Sequence, residues 1–327
     1  MDSLAKDIFT GLEGQAFEAR ALEIFRMQAK MNPVYREFIQ HLGRDAQSVR
    51  TLDDIPFLPI ELFKSHKVLL EGLDSELIFS SSGTTGSRPS QHFVSDLRLY
   101  EQSFFTGFEH FFGAVQDYVI LALLPSYLER QGSSLVYMAD RLIKASGHEE
   151  SGFYLDQLGE LAEKIKALES RGQKTILLGV SYALLDLIEL GPFALKSTLV
   201  METGGMKGRR KEMVKEELHR VLSAGFGVEE VCSEYGMTEL LSQAYSLGKG
   251  RFSCPPWMRI MVRDPEDPFQ IQAHGRTGGI NVIDLANVNS CSFIATQDLG
   301  RAYADHSFEI LGRFDHSDIR GCNLMVL

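Results

Sequence analysis

The distribution of apolar and polar residues along the chain predicts helices at its start and an alternation of strands and helices further on. Apolar residues at helical spacing predict a helix over 16–30, and Asn32 followed by Pro33 predicts the start of a second helix that ends near Gly43. Later predicted strands cover 119–125, 175–179, 198–202 and 231–233, and later predicted helices cover 155–170, 181–190 and 209–224. Because the first of these strands is apolar throughout, and because strand and helix alternate, we expect an α/β fold with a mainly parallel sheet flanked by helices.

The pattern changes beyond Gly250. Short stretches typical of strands, such as 280–284 and 292–295, are separated here by Gly, Asn and Asp residues. We therefore expect a smaller β-rich subdomain over about 250–312. The sequence shows no internal repeat and no low-complexity linker between this part and the rest.

A short buried strand is also predicted over 76–79, and a run of small polar residues follows it. Residues 81–85 all bear a hydroxyl or are glycine, Gly86 closes the run, and an amphipathic helix is predicted to begin after Asp96. Glycines let the backbone turn its N–H groups towards a ligand, and Ser and Thr add hydroxyl donors, so this order of strand, loop and helix suits phosphate. The run is neither a Walker loop nor a Gly-x-Gly-x-x-Gly turn. On these residues alone, a phosphate loop and an ordinary Ser-rich surface loop stay equally open.

Composition narrows the classes of function. The 327 residues are 44% hydrophobic and 24% charged, enough for a large core, and the net charge of −11 argues against nonspecific binding to nucleic acid. No apolar run reaches the roughly eighteen residues of a membrane span, and the N-terminal residues lack a signal-peptide pattern, so we expect a cytoplasmic protein without a membrane span. The spacing of Cys232, Cys254, Cys291 and Cys322 fits neither a zinc site nor a disulfide framework.

Three more motifs follow predicted strands, at the edge where open α/β sheets bind ligands. They are Thr203-Gly204-Gly205, Tyr235-Gly236-Met237-Thr238-Glu239 and Thr296-Gln297-Asp298-Leu299-Gly300, the last of which is followed by Gly312-Arg313-Phe314-Asp315. Mg²⁺ prefers a carboxylate together with phosphate oxygens, which Glu239 can satisfy. Taken singly, the first motif also fits a plain strand-to-helix turn, and the second fits a turn with a capping Glu.

Together these segments resemble the adenylate-forming enzymes, which include acyl-CoA synthetases, peptide-synthetase adenylation domains and luciferases. Ser-Ser-Gly-Thr-Thr-Gly is similar to their phosphate loop, and the other motifs follow in the same order over about 240 residues. The resemblance implies the large N-terminal domain of such an enzyme, with ATP and Mg²⁺ as cofactors. It also implies that a carboxylate attacks the α-phosphate of ATP and gives an acyl-adenylate and pyrophosphate.

The resemblance implies roles for individual residues. Phosphate binding falls to Ser81, Ser82, Gly83, Thr84, Thr85 and Gly86, and adenine binding falls to Gly204, Gly205 and Tyr235. Gly236, next to Tyr235, is also expected to bind the nucleotide. Thr238 would meet the α-phosphate and Glu239 would hold Mg²⁺, so both are expected to be catalytic. Asp298 would grip the ribose hydroxyls, and Arg313 would contact the ribose.

Two departures from the family pattern affect this reading. Gln297 replaces the Gly of the usual Thr-Gly-Asp-Leu-Gly run, so the resemblance supports the role of Asp298 better than it supports the turn before it. Most of the superfamily places Pro-Lys after the phosphate loop, whereas this chain has Ser87-Arg88-Pro89. Arg88 therefore serves the phosphates or faces solvent, and both alternatives stay open.

The last residues of the given sequence indicate which family of adenylate-forming enzymes it resembles. A typical acyl-CoA synthetase continues beyond the Gly-Arg-x-Asp hinge into a C-terminal lid domain that carries a lysine used in adenylation, whereas this sequence ends twelve residues after Asp315. We therefore expect the lid to be largely absent, with a catalytic domain over 1–312 and a hinge and tail over 313–327. The ending Gly-Arg-x-Asp…Arg-Gly-Cys-Asn resembles the acyl-protein synthetase of bacterial bioluminescence (LuxE type). That family activates a fatty acid with ATP and accepts the acyl group on a cysteine, here Cys322, for an acyl reductase or, by extension, an acyl carrier protein.

Alternatives remain for the function and for single residues. The sequence over 54–64 is similar to the segment that precedes the phosphate loop of phenylacetate–CoA ligases, and an enzyme of that type would use CoA as the acceptor. A non-catalytic nucleotide-binding protein would also keep the same fold. Cys322 follows Arg320, and a neighbouring cation favours the thiolate, but a bystander cysteine packed as a small hydrophobe is also open. Cys232 lies in a predicted strand and is expected in the core. His92, His306 and His316 are further candidate site residues, although isolated histidines are more often structural.

Overall fold

The computed structural model describes residues 7–12, 14–81, 88–125, 132–155, 157–204 and 213–314. Its helices are α1 (Gln15–Met31), α2 (Pro33–His41), α3 (Leu62–Ser65), α4 (Leu97–Phe112), α5 (Ser134–Ser146), α6 (Leu158–Ser170), α7 (Ser181–Ile188) and α8 (Lys215–Phe226). Short 3-10 turns cover Ala46–Ser48, Leu52–Asp54, Val115–Asp117 and Leu285–Asn287. The second helix begins as predicted, because the Asn32 side chain accepts hydrogen bonds from the backbone N–H groups of Val34 and Tyr35, both at 3.1 Å.

A large sheet runs through the molecule, and its first part is parallel. In spatial order this part contains β5 (Gly152–Phe153), β4 (Val119–Leu123), β6 (Thr175–Gly179), β7 (Thr198–Glu202) and β8 (Cys232–Tyr235). Helices connect these strands, which places their carboxyl ends at one edge. Every residue of β4 and β6 is buried, as expected for strands covered on both faces. The predicted α/β fold with a parallel sheet and flanking helices is therefore confirmed.

The sheet continues beyond β8 with antiparallel strands. These are β9 (Ala244–Ser246), β10 (Phe252–Ser253), β14 (Phe308–Arg313), β13 (Phe293–Ala302), β12 (Thr277–Asp284) and β11 (Met258–Arg263), in spatial order, and the short β1 (Leu58–Pro59) pairs in parallel with β13. The β-rich part predicted beyond Gly250 is present, but its strands extend the large sheet through β10 and β9. The domain boundaries at 312 and 313 stay a prediction.

The strand predicted before the hydroxyl-rich loop belongs to a separate hairpin. β2 (Leu77–Ser80) pairs antiparallel with β3 (Gln91–Val94), and the sequence analysis missed β3. The expectation that this strand is buried was only partly right, since Phe79 is buried but Ile78 is 37% exposed. A four-residue hairpin strand alternates between two environments, whereas a strand inside a doubly covered sheet does not.

The prediction of the helices differs from the structure at two further places. The helix predicted over 209–224 begins at Lys215, and the residues described just before it are not helical. Helix α5 was not predicted. In the part of the chain that the structure describes, no helix is both long enough and apolar enough to cross a membrane.

Candidate functional site

Two neighbouring cavities lie at the carboxyl ends of the parallel strands. Cavity A has a volume of about 340 Å³ and is lined by Ile60, Lys64, Ser81, Arg88, Ser90, Gly236, Met237, Thr238, Glu239, Thr296, Gln297, Asp298 and Arg313. Cavity B has a volume of about 210 Å³ and is lined by Ser80, Tyr100, Leu124, Pro125, Ser133, Ser134, Leu135, Val136, Met138, Val180, Thr203, Glu234, Gly236, Met237, Thr238 and Gln243. Both linings include Gly236, Met237 and Thr238, so this short segment separates the two cavities.

Cavity A brings together predicted site residues that are far apart in the sequence. Ser81, Gly236, Thr238, Glu239, Asp298 and Arg313 all line it. The rest of the predicted loop (Ser82, Gly83, Thr84, Thr85 and Gly86), together with Gly205 and Cys322, lies outside the described residues. The arrangement is therefore consistent with one site built from the loop flank, the segment after β8, and strands β13 and β14.

Asp298 is fixed by two neighbours. Its carboxylate is buried, and it accepts hydrogen bonds from the Tyr235 hydroxyl at 2.8 Å and from Nε of Arg313 at 3.1 Å. Asp298 and Arg313 are also directly paired across β13 and β14. The Arg313 side chain is 79% exposed, so it can turn towards a ligand while Asp298 stays in place.

Two predicted adenine-binding residues lie at the margin of this arrangement. The Tyr235 ring packs against Phe252 and Phe308, at centroid distances of 6.0 and 5.6 Å, and neither cavity lining includes it. Gly204 has φ of +47°, which favours glycine, and its N–H donates to Glu202 at 2.9 Å. Their contacts with adenine stay predictions, and the described contacts give both residues a structural role as well.

Glu239 is the carboxylate of cavity A that could hold a metal ion. It is only 5% exposed, and burial raises its pKa, while the Ser90 hydroxyl and the charges of Arg313 and Lys64 act in the opposite direction. Among the described residues no group of three or more His, Cys, Asp or Glu side chains could hold a metal ion. A single carboxylate can serve as a ligand of Mg²⁺, which commonly takes one or two carboxylates and completes its shell with phosphate oxygens and water.

The segment that carries Thr238 and Glu239 is held by buried polar side chains from three other elements. Nδ1 of His92, on β3, donates to the Thr238 carbonyl at 2.9 Å, and Nδ2 of Asn287 donates to the Glu239 carbonyl at 2.7 Å. Asp284, at the end of β12, accepts the backbone N–H groups of Leu241 at 2.8 Å and Ser242 at 3.0 Å. These groups fix the backbone on which the two predicted catalytic side chains stand.

Only part of this network was predicted from the sequence. His92 was a candidate site residue, but Asp284 and Asn287 gave no signal, since their partners lie over forty residues away. Burial lowers the pKa of His92 to about 4, so the ring is neutral near pH 7. The neutral ring with its proton on Nδ1 is the form that donates to a carbonyl. His306 is exposed, and His316 lies outside the described residues.

Cavity A also contains cations that suit a polyphosphate. Arg88 is exposed and also lines the cavity, so the phosphate alternative and the solvent-facing alternative both stay open. Lys64, on α3, was not predicted. It reaches the cavity because β1, just before α3, pairs with β13 beside Thr296 and Asp298.

Cavity B lies between the sheet edge and the first turn of α5. The Tyr100 hydroxyl of α4 donates to the Ser134 carbonyl at 2.9 Å and thereby closes one side. Oε2 of Glu234, which also lines the cavity, accepts a hydrogen bond from the Thr203 hydroxyl at 2.6 Å. Burial, together with the charge of Glu202, raises the pKa of Glu234 to about 7.

The three cysteines in the described part of the chain are poor candidates for a nucleophile. Cys232 and Cys291 are buried, which confirms the core position predicted for Cys232, and Cys254 is partly buried. Burial raises the thiol pKa of Cys232 to about 11 and that of Cys291 to about 12, and it also raises the pKa of Cys254. The thiolate is the reactive form, so these side chains are unreactive near neutral pH.

Comparison with known proteins places the fold. No protein-family model matches the chain, and no curated protein sequence matches it. Among solved structures, ATP-bound MatB from Rhodopseudomonas palustris matches with a TM-score of 0.53 and 22% identity, over 72% of this chain and 47% of MatB. The chain thus spans about half the length of MatB.

A second enzyme matches over more of the chain. 2-Hydroxyisobutyryl-CoA ligase in complex with 2-HIB-AMP and CoA matches in its open conformation with a TM-score of 0.64 and 15% identity, over 92% of this chain and 70% of the ligase. The same complex in the thioesterification state matches with a TM-score of 0.65 and 15% identity, over 92% of this chain and 68% of the ligase. The mixed α/β fold of this chain is therefore shared with these two enzymes, and the fold class agrees with the one predicted from the sequence.

Proposed function

We propose that this chain activates a carboxylic acid with ATP and forms an acyl-adenylate. The observation that carries the proposal is the composition of cavity A. It gathers a hydroxyl of the loop flank, Thr238 and Glu239, and the Asp298–Arg313 pair, and it adjoins a second cavity across one short segment. A nucleotide in cavity A and the acid in cavity B would meet at residues 236–238.

The chemistry is an in-line displacement at phosphorus. A carboxylate oxygen forms a bond to the α-phosphorus as the bond from that phosphorus to the bridging oxygen breaks, and pyrophosphate leaves. The protein positions the reactants and offsets their charge. The Thr238 hydroxyl donates a hydrogen bond to the α-phosphate, and Lys64, Arg88 and Arg313 offset the negative charge of the phosphates. Glu239 would hold Mg²⁺, which when bound neutralises phosphate charge. Asp298 would hold the ribose hydroxyls.

We propose further that the acyl group passes to Cys322, as in acyl-protein synthetases. The Cys322 thiolate would attack the acyl carbon, and AMP would leave with the electron pair of the broken C–O bond. The proposal includes a catalytic part over 1–312, a hinge and tail over 313–327, and a reductase or carrier protein as the final acceptor. The raised thiol pKa values of Cys232, Cys254 and Cys291 support it by making those residues poor substitutes. A CoA ligase of the phenylacetate type fits the same fold and cavities equally well.

Exchange of labelled pyrophosphate into ATP tests the adenylation step, using a panel of fatty, aromatic and short acids. At least one acid should support exchange. Glu239→Gln should lower the rate about a hundredfold, because one charge-stabilising contact at a phosphoryl centre is lost. The matched control is Glu229→Gln, an exposed residue outside both cavities, which should exchange like the wild type.

Two results would count against this function. Full exchange by a folded Glu239→Gln protein would remove Glu239 from the site. Absence of exchange with every acid in the panel would contradict adenylation itself and favour a non-catalytic nucleotide-binding protein.

A further inference from the structure

Cavity B contains an acceptor atom that the described contacts do not satisfy. Oε2 of Glu234 accepts from Thr203, but no hydrogen bond to Oε1 is found among the described residues. The Glu234 side chain is half-buried, and the two oxygens of a carboxylate offer about four acceptor positions in all, of which the described contacts use one. The wall of the cavity therefore presents an acceptor that a bound molecule could satisfy.

The neighbouring carboxylate shows what a satisfied buried glutamate looks like at this edge. Glu202, one strand away, is 1% exposed and contacts Nζ of Lys215 at 2.8 Å, the Ser233 hydroxyl at 2.7 Å and the Gly204 N–H at 2.9 Å. Lys215 therefore compensates Glu202. The described lining of cavity B contains no Lys or Arg, and Lys215 acts on Glu234 through its charge alone, without a hydrogen bond among the described contacts.

The position of Glu234 determines which part of a bound acid must carry the hydrogen-bond donor. A Cβ atom built at Gly236 would overlap Oε1 of Glu234, so this oxygen lies against Gly236. Gly236 lines both cavities. An acid whose carboxylate reaches cavity A across residues 236–238 would therefore place the carbon atoms next to its carboxylate, not its far end, beside Glu234.

We propose that cavity B selects acids that carry a hydrogen-bond donor, a hydroxyl or an ammonium group, close to the carboxylate, and that Oε1 of Glu234 accepts this donor. This specificity rests on the proposed adenylation and narrows its substrate class. A plain fatty acid would lay methylene groups against the carboxyl group of Glu234 and would displace water from Oε1 without offering a donor in its place, which is unfavourable. The modest volume of about 210 Å³ also suits a short acid.

The raised pKa of Glu234 provides a way to distinguish an ammonium donor from a hydroxyl donor. At about 7, the side chain is a mixture of the neutral and charged forms near neutral pH. An ammonium group would favour the charged form through direct ion pairing, whereas a hydroxyl needs only an acceptor oxygen. The two donors can therefore be told apart by removing the charge while keeping an acceptor.

The test compares matched acids in the pyrophosphate exchange assay: butanoate, 2-hydroxybutanoate, 3-hydroxybutanoate, 2-aminobutanoate and hexadecanoate. A donor-bearing acid should exceed butanoate and hexadecanoate in kcat/KM by about tenfold or more, because a site built to hydrogen-bond a group discriminates strongly against analogues that lack it. Equal kcat/KM values for butanoate and all its substituted forms, or a preference for hexadecanoate, would overturn the inference while leaving adenylation intact. Exchange with none of the acids would instead contradict the proposed function on which the inference rests.

Two variants locate the selectivity at Glu234. Glu234→Leu removes the acceptor at similar size and should bring the ratio of substituted acid to butanoate close to one. Glu234→Gln keeps an acceptor oxygen without the charge, so it should retain preference for a hydroxy acid and lose preference for 2-aminobutanoate. Glu229→Gln is the matched control and should leave every ratio unchanged. If Glu234→Leu does not fold, Glu234→Gln and the wild-type ratios still decide, and unaltered ratios in both variants would refute the assignment.

Discussion

Glu202 and Glu234 stand side by side at the ends of β7 and β8, yet their environments act on them in opposite directions. Burial alone would raise the pKa of Glu202, but His219, Lys215 and Ser233 lower it well below its usual range. Burial dominates for Glu234, and its pKa rises from 4.5 to about 7. One glutamate is thus a structural ion pair, while the other is free to respond to what occupies cavity B.

The pH dependence of stability should separate these two residues. Because the folded-state pKa of Glu234 lies above its unfolded value, its protonated form stabilises the folded state fully below pH 4.5, and this contribution is lost as the pH rises to about 7. Glu234→Gln mimics the protonated form, so its free energy of unfolding relative to the wild type should increase between pH 5 and pH 8 by up to about 3 kcal/mol. Urea unfolding at several pH values measures this difference, and parallel curves for the two proteins would contradict it.

The contribution of Glu202 to stability has the opposite pH dependence and changes over a lower pH range. Its lowered pKa means that its contribution to stability is present above about pH 4.5 and is lost only as the pH falls below that value. The comparison between pH 5 and pH 8 therefore reports on Glu234 with little interference from Glu202. Glu229→Gln, an exposed change, should show no such trend.

At the scale of elements, the segment after β8 depends on strands that are remote in the sequence. The hairpin strand β3 supplies His92, the end of β12 supplies Asp284, and the short 3-10 turn after β12 supplies Asn287. A buried hydroxyl extends the network, since Ser242 donates to Asp284 at 2.6 Å and accepts from Trp257 at 2.9 Å. Buried networks of this kind hold one backbone geometry because each broken contact leaves an unsatisfied group.

Replacing His92 should therefore disturb Thr238 through the backbone. His92→Leu leaves the Thr238 carbonyl without its donor and should cost about 1–3 kcal/mol of stability. Exchange activity per folded molecule should fall at least about tenfold, because small displacements of a positioning group are costly in catalysis. His92→Asn carries an amide N–H near the position of Nδ1 and should recover part of both losses. Urea unfolding and pyrophosphate exchange measure the two effects, and equal behaviour of the Leu and Asn variants would show that the hydrogen bond is irrelevant.

At the scale of the whole molecule, the sequence predicts the strands and motifs that leave a local pattern in the chain. Strands β4, β6 and β7 lie where the sequence predicted them, β4 from a continuous apolar run, and the order of motifs along the chain predicted the fold that the structural neighbours share. The two-residue strands β1, β5 and β10 leave almost no periodic signal. Strand β3 was missed because Gln91–Val94 mixes polar and apolar residues within one short hairpin arm.

The candidate site was predictable to the extent that its residues stand in motifs. Thr238, Glu239, Asp298 and Arg313 meet in cavity A, as their order in the chain suggested. Lys64 and Asn287 were not found, because their positions depend on the parallel pairing of β1 with β13 and on a turn that follows β12. Tertiary pairing of this kind has no local signature. The sequence could therefore name the groups expected at the ligand but not those that hold or complement them.

The separation of adenylation from acyl capture is the remaining question at this scale. Cavity A is built from residues up to Arg313, whereas Cys322 follows Asp315 in the sequence and lies outside the described residues. If adenylation takes place in cavity A and capture takes place on Cys322, the groups that line cavity A act without that thiol. The two steps should then respond separately to mutation.

Cys322→Ser should keep pyrophosphate exchange near the wild-type rate but fail to accumulate a hydroxylamine-labile acyl-protein, because a serine hydroxyl is a far weaker nucleophile than a thiolate. The measurement is labelled acid plus ATP, followed by a denaturing gel and mass spectrometry of the C-terminal peptide. Cys232→Ser is the matched control, since a buried thiol of raised pKa should contribute nothing to labelling. Thioester label that persists in Cys322→Ser, or that maps to Cys232, Cys254 or Cys291, would contradict acyl transfer to Cys322. No label in either protein, together with rapid formation of acyl-CoA when CoA is added, would instead establish the CoA-ligase alternative.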